Sequence, residues 1–165
     1  MTTEQTPSTS LPHWDLSNVY PGLESPEFNQ AVADLTARLD DLDSYLDMHQ
    51  ISRQETACHC ERSEAISALN DIISGYLDRM NDALKLYRTL GVYVNSYVAT
   101  DSYNTTAKRI ESELEMFQPR LQHCGVRFQG WLGSLGVELD RLLAHAGSAQ
   151  AHAFYLKETL EQSRD

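Results

Sequence analysis

The densest run of chemically capable side chains is Cys58-His59-Cys60-Glu61: two thiols, an imidazole and a carboxylate in succession. These are zinc-binding types, but a structural zinc ion takes four ligands in a tetrahedron. Adjacent residues of one loop cannot all turn toward one ion, and no second pair of ligands stands nearby. The run therefore reads as a plain exposed loop. Cys124, next to Gly125, has no His-plus-acid arrangement around it and reads as a small buried residue, not a nucleophile. Zinc hydrolysis on a helix needs His-Glu-x-x-His, with two imidazoles on one face and a Glu as base for the metal-bound water. None of the six histidines (His13, His49, His59, His123, His145, His152) is followed by Glu, and no two are four apart. His145 and His152 lie about two helical turns apart, but Gly147 separates them, and both read as exposed polar residues. The sequence thus offers no catalytic residue, no metal ligand and no cofactor site.

Charge narrows the function classes further. Lys plus Arg is 13 and Asp plus Glu is 24, a formal net charge of −11. Such a chain repels phosphate backbones and anionic membrane surfaces, which argues against nucleic acid and membrane as partners. No apolar run approaches the ~20 residues that span a bilayer. Residues 1–10 carry neither the basic nor the apolar part of a secretory signal. With three cysteines, Cys58, Cys60 and Cys124, the chain reads as cytoplasmic, with reduced thiols.

The elements that must position these groups are helical. Residues 1–12 form a Thr-, Ser- and Pro-rich tail, expected to be disordered. His13 to Gly22 forms an extended lead-in pinned by Trp14 and Tyr20. Ser25, Pro26 and Glu27 are N-cap, first-turn proline and first-turn acid. Phe28, Val32, Leu35, Leu39, Leu42 and Leu46 then repeat at alternating spacings of four and three, one apolar stripe on a helix. Its other face carries Asp34, Asp40, Asp41, Asp43 and Asp47, read as solvated surface, or alternatively as a field that attracts basic peptides.

Residues 49–63 break the pattern and read as a loop. A second helix is expected from about Ala65 to Leu90, with a stripe of Leu69, Ile72, Ile73, Tyr76, Leu77, Met80, Leu84 and Tyr87, and Gly91 as its stop. A tyrosine-rich helical stretch, Val92 to Thr100, follows. Next comes Asp101 to Gln118, capped by Asp101 and Ser102 and presenting Ile110, Leu114 and Phe117. Pro119 opens a new helix. The glycines of Gly125 to Gly136 predict helix ends or turns. Leu135, Leu139, Leu142 and Leu143 continue an apolar face to Gly147, and a last helix from Ser148 carries Phe154, Leu156 and Leu160. No segment alternates with period two. The expected fold is all-α, antiparallel helices packed on their apolar stripes, in one helical domain over 13–165.

Four patches, taken in order, resemble one family. They are Trp14-Asp15-Leu16-Ser17-Asn18-Val19-Tyr20-Pro21-Gly22-Leu23, Ser25-Pro26-Glu27-Phe28, Tyr93-Val94-Asn95-Ser96-Tyr97-Val98-Ala99-Thr100-Asp101-Ser102 and Phe154-Tyr155-Leu156. Together they look like the N-terminal region of oligoendopeptidase F-type zinc peptidases, over roughly residues 13 to 162. A separate string, residues 57–67, resembles a translated bacterial repeat element, which implies an insert in the loop between two helices.

The resemblance implies a helical lobe that narrows a channel for short peptides. The zinc and its His-Glu-x-x-His helix would belong to a separate catalytic lobe. It also gives the tyrosine group Tyr87, Tyr93, Tyr97 and Tyr103 two readings. Aromatic residues at helical spacing pack between helices; alternatively Tyr93, Tyr97 and Tyr103 line the peptide channel. The expected partner is the missing catalytic lobe or a split-gene product that supplies it, with the present chain a truncated product, inactive alone. A helical protein-interaction module and a non-functional gene fragment are the alternatives.

Overall fold

The computed structural model describes residues 16–52, 63–135 and 151–162. Five helices lie in these stretches: α1 (Pro26–Met48), α2 (Ser63–Thr100), α3 (Thr105–Glu115), α4 (Gln118–Ser134) and α5 (Ala153–Gln162). No strand occurs among the described residues. The fold is all-α, as the period of the apolar residues predicts.

Helix α1 begins where expected. The Ser25 Oγ accepts from the Phe28 N–H at 3.2 Å, and Pro26 stands in the first turn. Phe28, Ala31, Leu35, Leu39, Leu42 and Leu46 are buried, while Val32 is only half-buried. Each wholly buried leucine contributes roughly 1.5–3 kcal/mol of transfer free energy, opposed by the entropy of ordering the chain. The helix ends with Gln50 in the left-handed region at φ 52°. That turn lets the Ile51 N–H reach the Leu46 carbonyl at 2.8 Å and the Gln50 N–H reach Asp47 at 3.1 Å. This is a Schellman closure, with Ile51 and Leu46 buried beside it.

Helix α2 corrects the reading of Gly91. It runs unbroken from Ser63 to Thr100, through Gly91. Buried Leu90, Tyr93 and Val94 on both sides of the glycine hold the helix in place, and tertiary packing outweighs a local cost of about 1 kcal/mol. Asp101 and Ser102 do not cap the next helix. Asp101 Oδ1 accepts from the Tyr103 N–H within the turn at 2.9 Å, and Asn104 caps α3 by accepting from Ala107 N–H at 2.9 Å. The predicted helix from Asp101 to Gln118 is thus shorter, with Ile110 and Leu114 buried as expected and Phe117 half-buried.

Pro119 falls in the first turn of α4. It has no N–H to continue the ladder of α3, so the chain breaks at Met116–Phe117 and restarts. Gly125, Gly130 and Gly133 do not end a helix: α4 passes through all three, held by buried Leu121, Cys124, Phe128, Trp131 and Leu132. Leu156 of α5 is buried and Phe154 is exposed. The predicted tail (1–12), Trp14, the Cys58-His59-Cys60 run, Leu139, Leu142, Leu143, Gly147 and the Ser148 start lie outside the described residues. So does the side chain of Leu160.

Cross-helix contacts give the topology. Tyr45 meets Ile72, Asp41 meets Arg79 and Arg38 meets Asp82, so α1 and α2 are antiparallel. Glu24 meets Arg109, Asp40 meets Arg120 and Asp47 meets Arg127, so α3 and α4 run parallel to α1. Helices α3 and α4 together form a broken third member that retraces α2. Tyr76 of α2 stacks on Phe128 of α4 at 3.9 Å between ring centroids, at the centre of the core.

Candidate functional site

Two sequence patches that carry the resemblance meet in space. Tyr20, on the segment before α1, presents its ring edge to Phe28 at 5.4 Å and to Tyr93 at 5.1 Å. The Tyr93 hydroxyl donates to the Tyr20 carbonyl at 2.9 Å and lies 3.1 Å from the Tyr97 hydroxyl, one helical turn on. Tyr93 and Tyr97 pack at 5.2 Å. Burial, the hydrogen bond to Tyr97 and the nearby phenols push the Tyr93 phenol well above the ordinary tyrosine range. Burial, helped by the Asp34 charge, raises Tyr20. Neither Tyr20 nor Tyr93 is poised as an acid or base near neutral pH.

Of the sequence-predicted tyrosines, the fold joins Tyr93 and Tyr97. Tyr93 is buried in the core and Tyr97 is half-buried. Tyr103 is 90% exposed on the turn between α2 and α3, with no ring contact to the other two among the described residues. Tyr87 is half-buried against the core.

A groove along α2 brings together residues that the sequence did not single out as a site. One compartment, about 570 Å³, lies between α2 and α5. Leu77, Met80 and Leu84 line it from α2, and His152 and Tyr155 from the other side. Asn81 Nδ2 and His152 Nε2 meet across it at 3.3 Å. A second compartment, about 340 Å³, lies between α2 and the turn at Leu16–Val19, with Val92 and Ser96 at its wall. Arg88 and Thr89 line both. Lys85 and Arg88 are the only charged residues lining either one among the described residues. The available sequence signal was a pair of bases, Lys85 and Arg88, inside a helical apolar stripe of an acidic chain.

On the acidic face of α1, Asp34, Asp40, Asp41 and Asp47 are exposed as expected and Asp43 is half-buried, but arginines of two other helices also pair with it. Arg120 of α4 bridges Asp40 at 2.8 Å and Asp43 at 2.6 Å. Arg79 of α2 reaches Asp41 at 3.0 Å, and Arg127 reaches Asp47 at 2.7 Å and the Ile51 carbonyl at 3.2 Å. Linear periodicity could not show that arginines from two other helices flank this face. Cys124 is buried, and its thiol donates to Asp43 at 3.3 Å. Burial and the Asp43 carboxylate beside it push the thiol up to about 12, away from the thiolate a nucleophile needs. For Asp43, burial raises the carboxyl, but bonds from Arg120 and Cys124 with the Arg120 and Arg127 charges outweigh it and hold it below the usual range.

Among the described residues, no three His, Cys, Asp or Glu side chains converge on a point that could hold a metal ion. No described helix is long and apolar enough to cross a membrane. No family model matches the chain, and neither any curated protein nor any solved structure is significantly similar to it.

Proposed function

We propose that the chain is the channel-shaping helical lobe of an oligoendopeptidase F-like zinc metallopeptidase that cleaves short peptides. The observation that carries the reading is the joining of Tyr20 to Tyr93. Two motif patches more than 70 residues apart in sequence form one hydrogen-bonded aromatic unit. That gives the lead-in segment and the α2 patch a common structural role, which suits a lobe built around that motif. In this reading the chain is a scaffold: its 165 residues hold no His-Glu-x-x-His, and the zinc and base come from a catalytic lobe with which it assembles.

The test combines two measurements on purified protein. Incubated with zinc and a quenched fluorescent nonapeptide, the chain alone should give no turnover. Mixed with the separately expressed catalytic lobe of a peptidase of that family, it should co-elute with it and raise its turnover of the nonapeptide. Zinc-dependent hydrolysis by the chain alone, or failure to associate, would overturn the reading. A second reading, a helical protein-interaction module, is favoured by the open groove along α2.

A further inference from the structure

We infer that the groove along α2 is a docking site for an acidic amphipathic helix of a partner protein. The partner's apolar side chains enter the two compartments, and its carboxylates meet Lys85 and Arg88. The inference is independent of the peptidase reading.

The first support is charge. Arg38, Arg79, Arg109, Arg120 and Arg127 each donate to a carboxylate or a carbonyl. Arg88 makes no such bond among the described residues, and neither does Lys85. These two bases sit three residues apart on one face of α2, and no carboxylate lines either compartment among the described residues. In a chain of net charge −11, this is a local reversal of sign. A basic partner would be repelled here, and a purely apolar one would cover Arg88 without a counter-charge.

The second support is shape and surface. The lining runs from Leu77 to Ser96, about 29 Å at 1.5 Å per residue. That is the length of a helix of about 19 residues. Val92 is 69% exposed and Val19 43%, both lining the second compartment. Two bases beside an apolar strip match a helix with apolar anchors at i, i+3, i+4 and i+7 and acidic flanks, the helix-in-groove mode of recognition. A phosphate backbone has nothing to bury against the exposed Val92 and Val19.

The experiment uses two labelled 19-residue peptides with the same leucine stripe, one flanked by Glu and one by Lys, titrated against the full chain by fluorescence anisotropy. The Glu peptide should bind at least ~tenfold tighter than the Lys peptide, and more weakly as salt rises. The double reversal Lys85→Glu, Arg88→Glu should reverse that preference; both side chains are exposed, so circular dichroism should be unchanged. Val92→Asp should weaken the Glu peptide by ~tenfold or more without changing the fold. Equal affinity for the two peptides, no binding of either at millimolar concentration, or indifference to these substitutions would overturn the inference. A concentration-dependent dimer in sedimentation equilibrium that the double reversal abolishes would assign the groove to a second copy of the chain and overturn it as well.

Discussion

The hydroxyl of Tyr45, on α1, occupies the space where a Cβ on residue 75 of α2 would stand, so Gly75 leaves room for a side chain of the facing helix. The Tyr45 hydroxyl donates to the Ile72 carbonyl at 3.0 Å. Arg79 lies over the Tyr45 ring, 4.2 Å from its centroid, and donates to the Gly75 carbonyl at 3.0 Å. Glycine is present here because a side chain from the other helix fills its place. In an isolated helix, Gly75→Ala would be stabilising by about 1 kcal/mol. Here it should destabilise by roughly 1–2 kcal/mol through overpacking, measured as a lower urea midpoint. In a Tyr45→Ala background the same replacement should become stabilising.

Gly91 makes the opposite case. It lies inside α2, and an added Cβ would meet nothing within 4 Å. Gly91→Ala should stabilise by up to about 1 kcal/mol, through helix propensity and a less flexible unfolded chain. A raised urea midpoint at constant slope checks it; a fall would mean that the helix needs freedom at this point.

Gln50 closes α1 with a positive φ of 52°. A side chain is strained in that region and glycine is not. Gln50→Gly should raise stability by about 1 kcal/mol, as for other left-handed helix closures. Thermal unfolding of the two proteins side by side measures it.

Asp43 should give the fold an acid limb. Its folded carboxyl is held below the ordinary range. Its contribution is therefore present above the unfolded carboxylate pKa of about 4 and is lost as pH falls through the lower folded value. Urea midpoints should decline below about pH 4, and less so in Asp43→Asn, which should also be less stable at neutral pH. Parallel acid limbs in the two proteins would contradict this assignment.

Cys124 has the reverse sign. Its folded thiol is raised to about 12, so its contribution is complete below the unfolded thiol pKa and is lost as pH rises from there through the folded value. At pH 8 the native thiol should resist iodoacetamide and react only after urea unfolding. Peptide mapping of Cys124 reads this directly, and rapid native labelling would refute it.

The sequence by itself determined the helical class and the start of α1, because the repeat of Phe28, Leu35, Leu39, Leu42 and Leu46 and the cap at Ser25 are local signals with a single physical reading. It also determined the restart at Pro119, since a missing N–H acts wherever the residue stands. Only the tertiary structure decided the rest. Gly91 and Gly125 read as stops in sequence, yet they sit inside helices because packing on neighbouring residues outweighs a local cost of about 1 kcal/mol each. Asp40, Asp41 and Asp47 read as solvated and stay exposed, but their pairing, with that of half-buried Asp43, to arginines appears only when α2 and α4 come alongside. Tyr93 and Tyr97 were visible as candidates, but their union with Tyr20 depends on how the lead-in folds back over α2. The groove was least legible of all. Lys85 and Arg88 gain meaning from having no carboxylate partner among the described residues, and that is a property of the assembled surface, not of any stretch of chain.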